Sequence, residues 1–306
     1  MIVGSQCSPA RTVNSSSNFV LRGPMNIASL NCRGLGNGPA IHSLLEFQKK
    51  EDPDVLFLSE TKLDEKRLQW FKWKLGLSNM VAKDCEGQSG GLALFWRSDV
   101  NLTAGLKSRY HTDATIIQPD GFKWRFTGIY GDPKTEKREN TWKLLRNIKH
   151  HSKLPWLCAG DFNEILFDFE KEGGAMRSQS QMNKFRDTLV DCNLHDLGFV
   201  GDPFTWRNNS CTSQGYIKER LDRAVATKEW YQHFSDFKVV NGDPGHSDHR
   251  PIIIHLLGTQ TQRLAKRDPG PFRFEARWLE EESCDDVVHE AWRNSEANGE
   301  KRLCKS

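Results

Sequence analysis

The chain has 306 residues, of which 37% are hydrophobic and 27% charged, as in an ordinary globular protein with room for one large α/β domain or two small ones. Its 43 basic and 40 acidic residues nearly balance, so net charge neither indicates nor excludes a nucleic-acid partner. The eight cysteines form no CxxC pair, which argues against a zinc site, and the apolar stretches are too short to cross a bilayer. We therefore expect a reduced, intracellular protein with no membrane partner.

Composition divides the chain into three regions. Residues 1–23 are rich in Ser and Asn without periodicity, which predicts a disordered leader. Residues 24–258 carry the pattern of a folded domain. Residues 259–306 predict a polar linker followed by a partial helical tail, with an acidic run at 280–282.

Strand and helix patterns alternate through the folded region. A strand from Met25 enters a glycine-rich turn, a helix runs from Pro39 to near Asp52, and Val55–Leu58 is a strand buried on both faces. The later predicted elements are strands at 91–96, 114–118 and 122–130, a helix at 134–150, a strand at 155–159, a helix capped by Ser180, and strands at 204–206, 217–226, 237–240 and 251–257. Strands outnumber helices and come in pairs between single helices, which predicts two face-to-face sheets with helices outside.

Polar and charged side chains close several of these predicted strands. Asn31, Glu60 and Tyr130 each end one, Asp161 with Asn163 follows another, Asp222 lies within a further strand, and Asp248 with His249 precedes the last. Functional groups gather at strand ends because the scaffold there is rigid. Phosphodiester cleavage needs hard oxygen ligands for a cation, a group that activates water and a donor for the developing charge, and this set supplies all three.

Each residue taken alone has an ordinary structural explanation. Glu60 could be a solvated turn residue, and Asp161 with Asn163 could form an Asx-turn. Asp222 could pair with a neighbouring arginine, and His249 could lie in a solvated turn. The functional interpretation therefore depends on the ordered set.

Six short motifs carry that set through residues 25–257. They are Asn31 in SLNCRGL, Glu60 in LSETK, Tyr130 in GIYGDP, Asp161 and Asn163 in GDFNE, Asp222 in RLDR, and Asp248 and His249 in SDHRPI. In this order they resemble the endonuclease/exonuclease/phosphatase superfamily, which includes DNase I and the apurinic/apyrimidinic endonucleases. The resemblance implies an α/β fold, a four-layer α-β-β-α sandwich of two packed mixed sheets flanked by helices.

Two further segments narrow the resemblance. The FTWRN motif at 204–208 resembles the endonuclease domain of plant LINE-type (non-LTR) retrotransposon polyproteins, and PFRFEARW at 271–278 resembles the segment between that domain and the reverse transcriptase. No reverse transcriptase follows in this sequence, so we expect a truncated element or a gene fragment derived from one.

The resemblance also implies a metal site. Glu60 is expected to be the principal ligand of Mg²⁺ (or Mn²⁺), with Asn31 contacting the metal or the scissile phosphate. Asp248 is expected as a further acidic ligand or water-positioning residue. Some apurinic endonucleases carry an acidic residue where this chain has Arg33, which favours chemistry with a single metal and leaves Arg33 free to contact the DNA backbone.

The remaining positions are expected to act on water and phosphate. Asp161 resembles the group that activates the attacking water, and Asn163 is expected to orient that water or the phosphate. His249 would contact the phosphate oxygens, and Asp222 would accept a proton from the other ring nitrogen of His249. The expected contacts to phosphate oxygens come from Tyr130, Thr205, Ser247 and Asn31.

The leading hypothesis is a metal-dependent endonuclease that nicks one strand of DNA, located in the nucleus because its substrate is there. One alternative is a phosphatase or phosphodiesterase of the same superfamily acting on lipid, inositol phosphate or RNA. The other is an inactive retroelement relic. The sequence implies no protein partner and does not define the oligomeric state.

Overall fold

The computed structural model describes residues 25–87, 89–210, 212 and 215–257. The predicted leader and the predicted linker and tail lie outside the described residues. The strands are β1 (Asn26–Asn31), β2 (Val55–Ser59), β3 (Asn79–Glu86), β4 (Ser89–Trp96), β5 (Asn101–Lys107), β6 (His111–Ile117), β7 (Lys123–Tyr130), β8 (Trp156–Asp161), β9 (Lys171–Glu172), β10 (His195–Asp196), β11 (Val200–Gly201), β12 (Trp206–Arg207), β13 (Lys218–Glu219), β14 (Asp222–Ala226), β15 (Phe237–Asn241) and β16 (Ile252–Leu256). The helices are α1 (Gly38–Glu51), α2 (Glu65–Lys74), α3 (Arg138–Lys149), α4 (Gln179–Asp191) and α5 (Lys228–His233), with 3₁₀ turns at Thr135–Lys137 and Asp168–Glu170.

Two large mixed sheets carry the fold. The first sheet has the strand order β11-β15-β16-β1-β2-β4-β3, and the second has the order β10-β14-β8-β7-β6-β5. Parallel pairs occur between β1 and β2 and between β7 and β8, and most other neighbours are antiparallel. A small third sheet joins β12, β13 and β9.

Three apolar clusters show how the layers stack. Alternate residues of β2 point to opposite sides, and all five are buried. Phe57 and its same-face neighbours pack against the second sheet in the central cluster, while Leu56 and its same-face neighbours pack against α1 and α2. On the far side, Trp142 of α3 and Phe185 of α4 cover the second sheet, their rings stacked with centroids 4.5 Å apart. The predicted four-layer sandwich is confirmed.

Strand register brings the predicted polar strand ends to one edge. Asn31 is the parallel partner of Ser59, so Asn31 lies beside the residue that precedes Glu60. In the second sheet, Asp161 pairs with Tyr130 on one side and with Asp222 on the other. Because the carboxyl ends of parallel strands meet at the same edge, both sheets contribute their polar ends to one place.

Several local predictions need correction. The N-cap of α4 is Ser178, so the helix begins before Ser180. The predicted strand 217–226 is two strands separated by Arg220 and Leu221, because β13 joins the small sheet and β14 the second large sheet. The helix at 134–150 begins with a 3₁₀ turn. No helix among the described residues is long and apolar enough to cross a membrane.

Candidate active site

A cavity of about 240 Å³ opens at the edge where the polar strand ends meet. It is lined by Arg33, Glu60, Pro133, Arg138, Asn163, Arg177, Trp206, Glu219, Leu221 and His249. Residues that follow strands of both large sheets, such as Glu60 and Asn163, therefore share one concave surface with residues of the small sheet.

Asn31 links the two sheets next to Glu60, a residue that lines this cavity. Its side-chain nitrogen donates to Oε1 of Glu60 and to Oδ2 of Asp161, each at 3.0 Å. Its side-chain oxygen accepts the backbone N–H of Arg33 at 3.1 Å. Asn31 is 1% exposed, so one amide group holds two carboxylates together out of contact with solvent.

Glu60 is held in place by its backbone and by three donors. It directly follows β2 with a left-handed φ of 51°, a conformation that non-glycine residues rarely adopt outside functional turns. The phenol of Tyr130 donates to Oε1 at 3.0 Å, in addition to Asn31. Burial alone would raise the pKa of Glu60, but the Asn31 hydrogen bond and the charge of Arg33 outweigh it and lower the pKa. Glu60 is therefore ionised at neutral pH.

Asp161 sits at the end of β8, where a glycine is required before it. Gly160 has a φ of +148°, and a Cβ at this position would lie 2.0 Å from the carbonyl oxygen of Ile129. Asn163 supports the carboxylate: its backbone N–H donates to Oδ1 at 2.8 Å and its side chain donates to Oδ2 at 3.1 Å. Burial and the neighbouring charge of Asp222 raise the pKa of Asp161 to about 7, although His249 opposes the shift.

His249 and Asp222 form a buried pair next to Asp161. Nδ1 of His249 lies 2.8 Å from Oδ2 of Asp222, and Nε2 lies 3.9 Å from Oδ2 of Asp161. Burial would lower the pKa of His249, but Asp222 and Asp161 outweigh it and raise the pKa to about 9. The imidazole is therefore positively charged at neutral pH, with its Nε2–H on the Asp161 side.

Arg33 connects Glu60 to Asp248. Its Nη1 lies 3.3 Å from Oε1 of Glu60, and its Nε lies 3.1 Å from Oδ1 of Asp248. The second contact is an ion pair without hydrogen-bond geometry, because Oδ1 of Asp248 has no hydrogen-bond partner among the described residues. The indole N–H of Trp206 donates to the other oxygen of Asp248 at 2.9 Å. Asp248 thus reaches the cluster through Arg33.

The cluster has the charge that a divalent cation would balance. Glu60, Asp161, Asp222 and Asp248 carry four negative charges when ionised, against two positive charges from Arg33 and His249. Full ionisation would leave an excess of two negative charges in a largely buried site, and the raised pKa of Asp161 reflects how costly that excess is without a bound cation. Carboxylate and amide oxygens are the donors that Mg²⁺ and Mn²⁺ prefer. These residues therefore fit a hard divalent ion.

Two groupings of residues could hold that ion. Asp161, Asp222 and His249 place one ligand atom each within 4.8 Å of one another. In that trio, however, Nδ1 of His249 already hydrogen-bonds to Asp222, which leaves only Nε2 of the ring to face Asp161. We favour Glu60 as the principal ligand, because it offers carboxylate oxygens and its carboxylate is ionised. Asn31 turns its side-chain nitrogen to Glu60 and its oxygen to the backbone of Arg33, so a metal contact by Asn31 stays a prediction.

Two of the residues expected to contact phosphate instead form hydrogen bonds with the backbone of the site. Thr205 is 1% exposed, and its hydroxyl accepts the backbone N–H groups of Leu221 and Asp222 at 3.0 and 2.9 Å. The hydroxyl of Ser247 donates to the carbonyl oxygen of Asn31 at 2.6 Å. Both contacts fix the backbone that carries site residues, and direct phosphate contacts by Thr205 and Ser247 stay predictions.

The sequence motifs did not single out the arginines at the cavity rim. Arg138 of α3 and Arg177 of the loop before α4 both pair with Glu164, and Arg177 also pairs with Glu219. Arg138 lies at a helix start and Arg177 in an irregular loop, so no spacing pattern linked them to the site. These pairs add cationic groups to the rim but little net charge.

This combination of fold and site defines a class of hydrolases that act on phosphate esters. Residues 26–249 match the model of the endonuclease/exonuclease/phosphatase family. The match covers well over half of the chain, and the protein belongs to this family. Its members are nucleases and phosphatases that depend on divalent metals. No curated protein matches the sequence.

Solved structures share the fold at low sequence identity. The chain is similar to the endonuclease domain of TRAS1, a telomere-specific non-LTR retrotransposon, with 13% identity and a TM-score of 0.58 over 78% of this chain and all of that one. It is similar to the AP endonuclease LMAP from Leishmania major, with 16% identity and a TM-score of 0.60 over 82% and 93% of the two chains. The 3′–5′ exonuclease NExo from Neisseria meningitidis shares 19% identity and a TM-score of 0.57 over 75% and 98%.

Proposed function

We propose that this protein is a divalent-metal-dependent phosphodiesterase that nicks DNA and derives from a retrotransposon endonuclease. The observation that carries the proposal is the convergence of Glu60 and Asp161 on the single amide of Asn31, with His249 beside them. Positions far apart in the chain thus form one site suited to an anionic phosphorus centre. The similarity to the TRAS1 domain and to AP endonucleases supports DNA as the substrate.

The protein's own groups divide the chemistry between water and phosphate. Asp161 accepts a proton from the attacking water, a task for which a carboxyl of raised pKa is suited at neutral pH. Asn163, hydrogen-bonded to Asp161, orients that water. His249 donates from Nε2 to a non-bridging phosphate oxygen as negative charge develops there, while Asp222 fixes the orientation of the ring.

Tyr130 holds the carboxylate of Glu60 in position. Burial and the nearby charge of Glu60 raise the pKa of its phenol, which therefore stays protonated and donates to Glu60. Glu60, with Asn31 and Asp248 nearby, would hold the divalent ion, which when bound supplies Lewis-acid stabilisation of the phosphate and the leaving oxygen.

A supercoiled plasmid assay tests the proposal. Wild-type protein with Mg²⁺ or Mn²⁺ is expected to convert closed circles to relaxed circles, and a chelator is expected to stop the conversion. Glu60→Gln keeps the size of the side chain but removes its charge, and we expect it to lose nicking by at least about 100-fold. Glu229→Gln, an exposed change on α5, is the matched control and should cut as wild type.

The same assay separates the alternatives. A phosphatase or an exonuclease that needs a free end leaves closed circles intact, so an intact plasmid beside turnover of another phosphate ester would overturn DNA nicking. A folded sample that shows no heat of Mg²⁺ or Mn²⁺ binding by calorimetry would support an inactive relic instead. Equal cutting by Glu60→Gln and wild type would refute the assignment of Glu60.

A further inference from the structure

Helix α2 exposes two tryptophans on the side opposite its buried face. Leu68 and Phe71 pack under the helix against the first sheet. On a helical wheel Trp70 and Trp73 lie on the other side, and they are 48% and 81% exposed. Burying an indole is strongly favourable, so helices seldom direct two of them into solvent.

The same face is rich in positive charge. Lys66, Arg67 and Lys74 lie on this side of α2, half-buried Lys72 lies at its edge, and the helix has one acidic residue, Glu65. Nζ of Lys72 lies 5.7 Å from the ring centroid of Trp73, and Nζ of Lys74 lies 5.3 Å from that of Trp70. Cationic and aromatic groups therefore alternate along the helix. We name Lys66, Arg67, Trp70, Trp73 and Lys74 the α2 face.

A second exposed aromatic pair serves as a comparison. Phe167 and Phe169, 44% and 77% exposed, stack on each other with ring centroids 5.2 Å apart. One face of each ring is therefore already covered, and Asp168 and Glu170 lie between and after them. Arg186 lies over the Phe167 ring at 5.3 Å from its centroid, but no cation lies over the Phe169 ring among the described residues. This pair therefore offers a polyanion fewer cationic groups than the α2 face does.

We propose that the α2 face binds single-stranded nucleic acid. Unpaired bases can stack on the exposed indoles, whereas the bases of a duplex are already stacked on each other. Lys66, Arg67 and Lys74 supply cations for the phosphates on either side of the bases. The α2 face shares no residue with the catalytic cavity, although α2 begins five positions after Glu60. The inference therefore goes beyond the proposed nicking activity and does not require cleavage.

Binding can be measured without cleavage. Full-length protein in chelator is titrated into fluorescein-labelled oligothymidine and, separately, oligouridine, and anisotropy is recorded. We expect Trp70→Ala and Trp73→Ala each to weaken binding of single strands about tenfold. Phe169→Ala removes an equally exposed ring and is the matched control, which should bind as wild type. Lys66→Gln should reduce the dependence of affinity on salt.

The outcomes identify the partner. Equal affinity for oligothymidine and oligouridine would indicate that the protein recognises only stacked bases and phosphates. A preference for one of the two would identify DNA or RNA as the partner. Unchanged binding in the Trp70→Ala/Trp73→Ala variant, with an unchanged melting temperature, would overturn the proposal. So would indole-dependent binding to phosphatidylserine vesicles in the absence of oligonucleotide binding. Because plasmid nicking is scored separately, loss of nicking with intact strand binding would count only against the proposed activity.

Discussion

Asp222→Asn is the change that tests the geometry of the site most directly. Asparagine matches aspartate in shape and size, so the buried position stays filled and the backbone N–H can still donate to Thr205. What it removes is the negative charge that faces Nδ1 of His249 at 2.8 Å. Because both side chains are at most 3% exposed, solvent cannot replace the lost partner.

The size of the effect follows from the type of contact. A buried hydrogen bond between charged groups contributes about 1.5–3 kcal/mol. His249 faces the most negative phosphate oxygens in the transition state. If the full stabilisation by Asp222 acts there, its loss in Asp222→Asn lowers the rate by about 10- to 150-fold. The loss should appear in kcat with little change in KM, since Asp222 orients His249 and does not contact substrate.

Plasmid nicking under single-turnover conditions measures this loss. Asp187→Asn, an exposed change on α4, is the matched control and should leave the rate unchanged. The melting temperature of each variant shows whether its fold is intact. An Asp222→Asn protein that is folded and cuts at the wild-type rate would show that the pairing of Asp222 with His249 does not serve catalysis.

Three other predictions concern stability. Phe57→Ala leaves a cavity between the two sheets, where the ring is fully buried, and should lower the free energy of unfolding by about 3–5 kcal/mol in urea titrations. A decrease below about 1 kcal/mol would contradict the observed packing of this ring. Gly160→Ala forces a methyl group onto a neighbouring carbonyl, so we expect insoluble or much less stable protein, and normal yield and melting would argue against the observed backbone. Burial would raise the pKa values of Glu170 and Asp196, but the charge of buried Arg223 outweighs it and lowers both. These two carboxylates therefore contribute their full stabilisation of the fold above their ordinary pKa of about 4, and that stabilisation is lost as the pH falls through their lower pKa values in the folded state. Glu170→Gln should make the free energy of unfolding, measured by circular dichroism, depend less on pH in this acidic range.

Much of the fold could be predicted because its signals are local. The buried run at Val55–Leu58 is apolar throughout, and Pro39 marks the start of α1 because proline is favoured in the first turn of a helix. Helix α2 was not predicted because its exposed tryptophans hide the usual separation of apolar and polar faces. The break between β13 and β14 at Arg220 was not predicted, because it depends on which sheet each strand joins and therefore on contacts with distant parts of the chain.

The candidate site was likewise predictable in part. The order and the sequences of the motifs identified Glu60, Asp161 and His249, and the structure brings these residues together. The contacts made by Arg33 and by the indole of Trp206 depend on chain segments that approach only in the folded state. No local pattern could have placed these two side chains on Glu60 and Asp248.

The junction of the two sheets also governs when the protein can act. Asn31 ends the first strand of the described residues, whereas His249 comes just before the last of these strands. The set of reactive side chains is therefore incomplete until nearly the whole described domain has left the ribosome and folded. Under the proposed nicking activity, a nascent or half-assembled chain therefore cannot cut DNA. Proteolytic separation of the sheets would likewise be expected to abolish that activity, even if each sheet kept its own secondary structure.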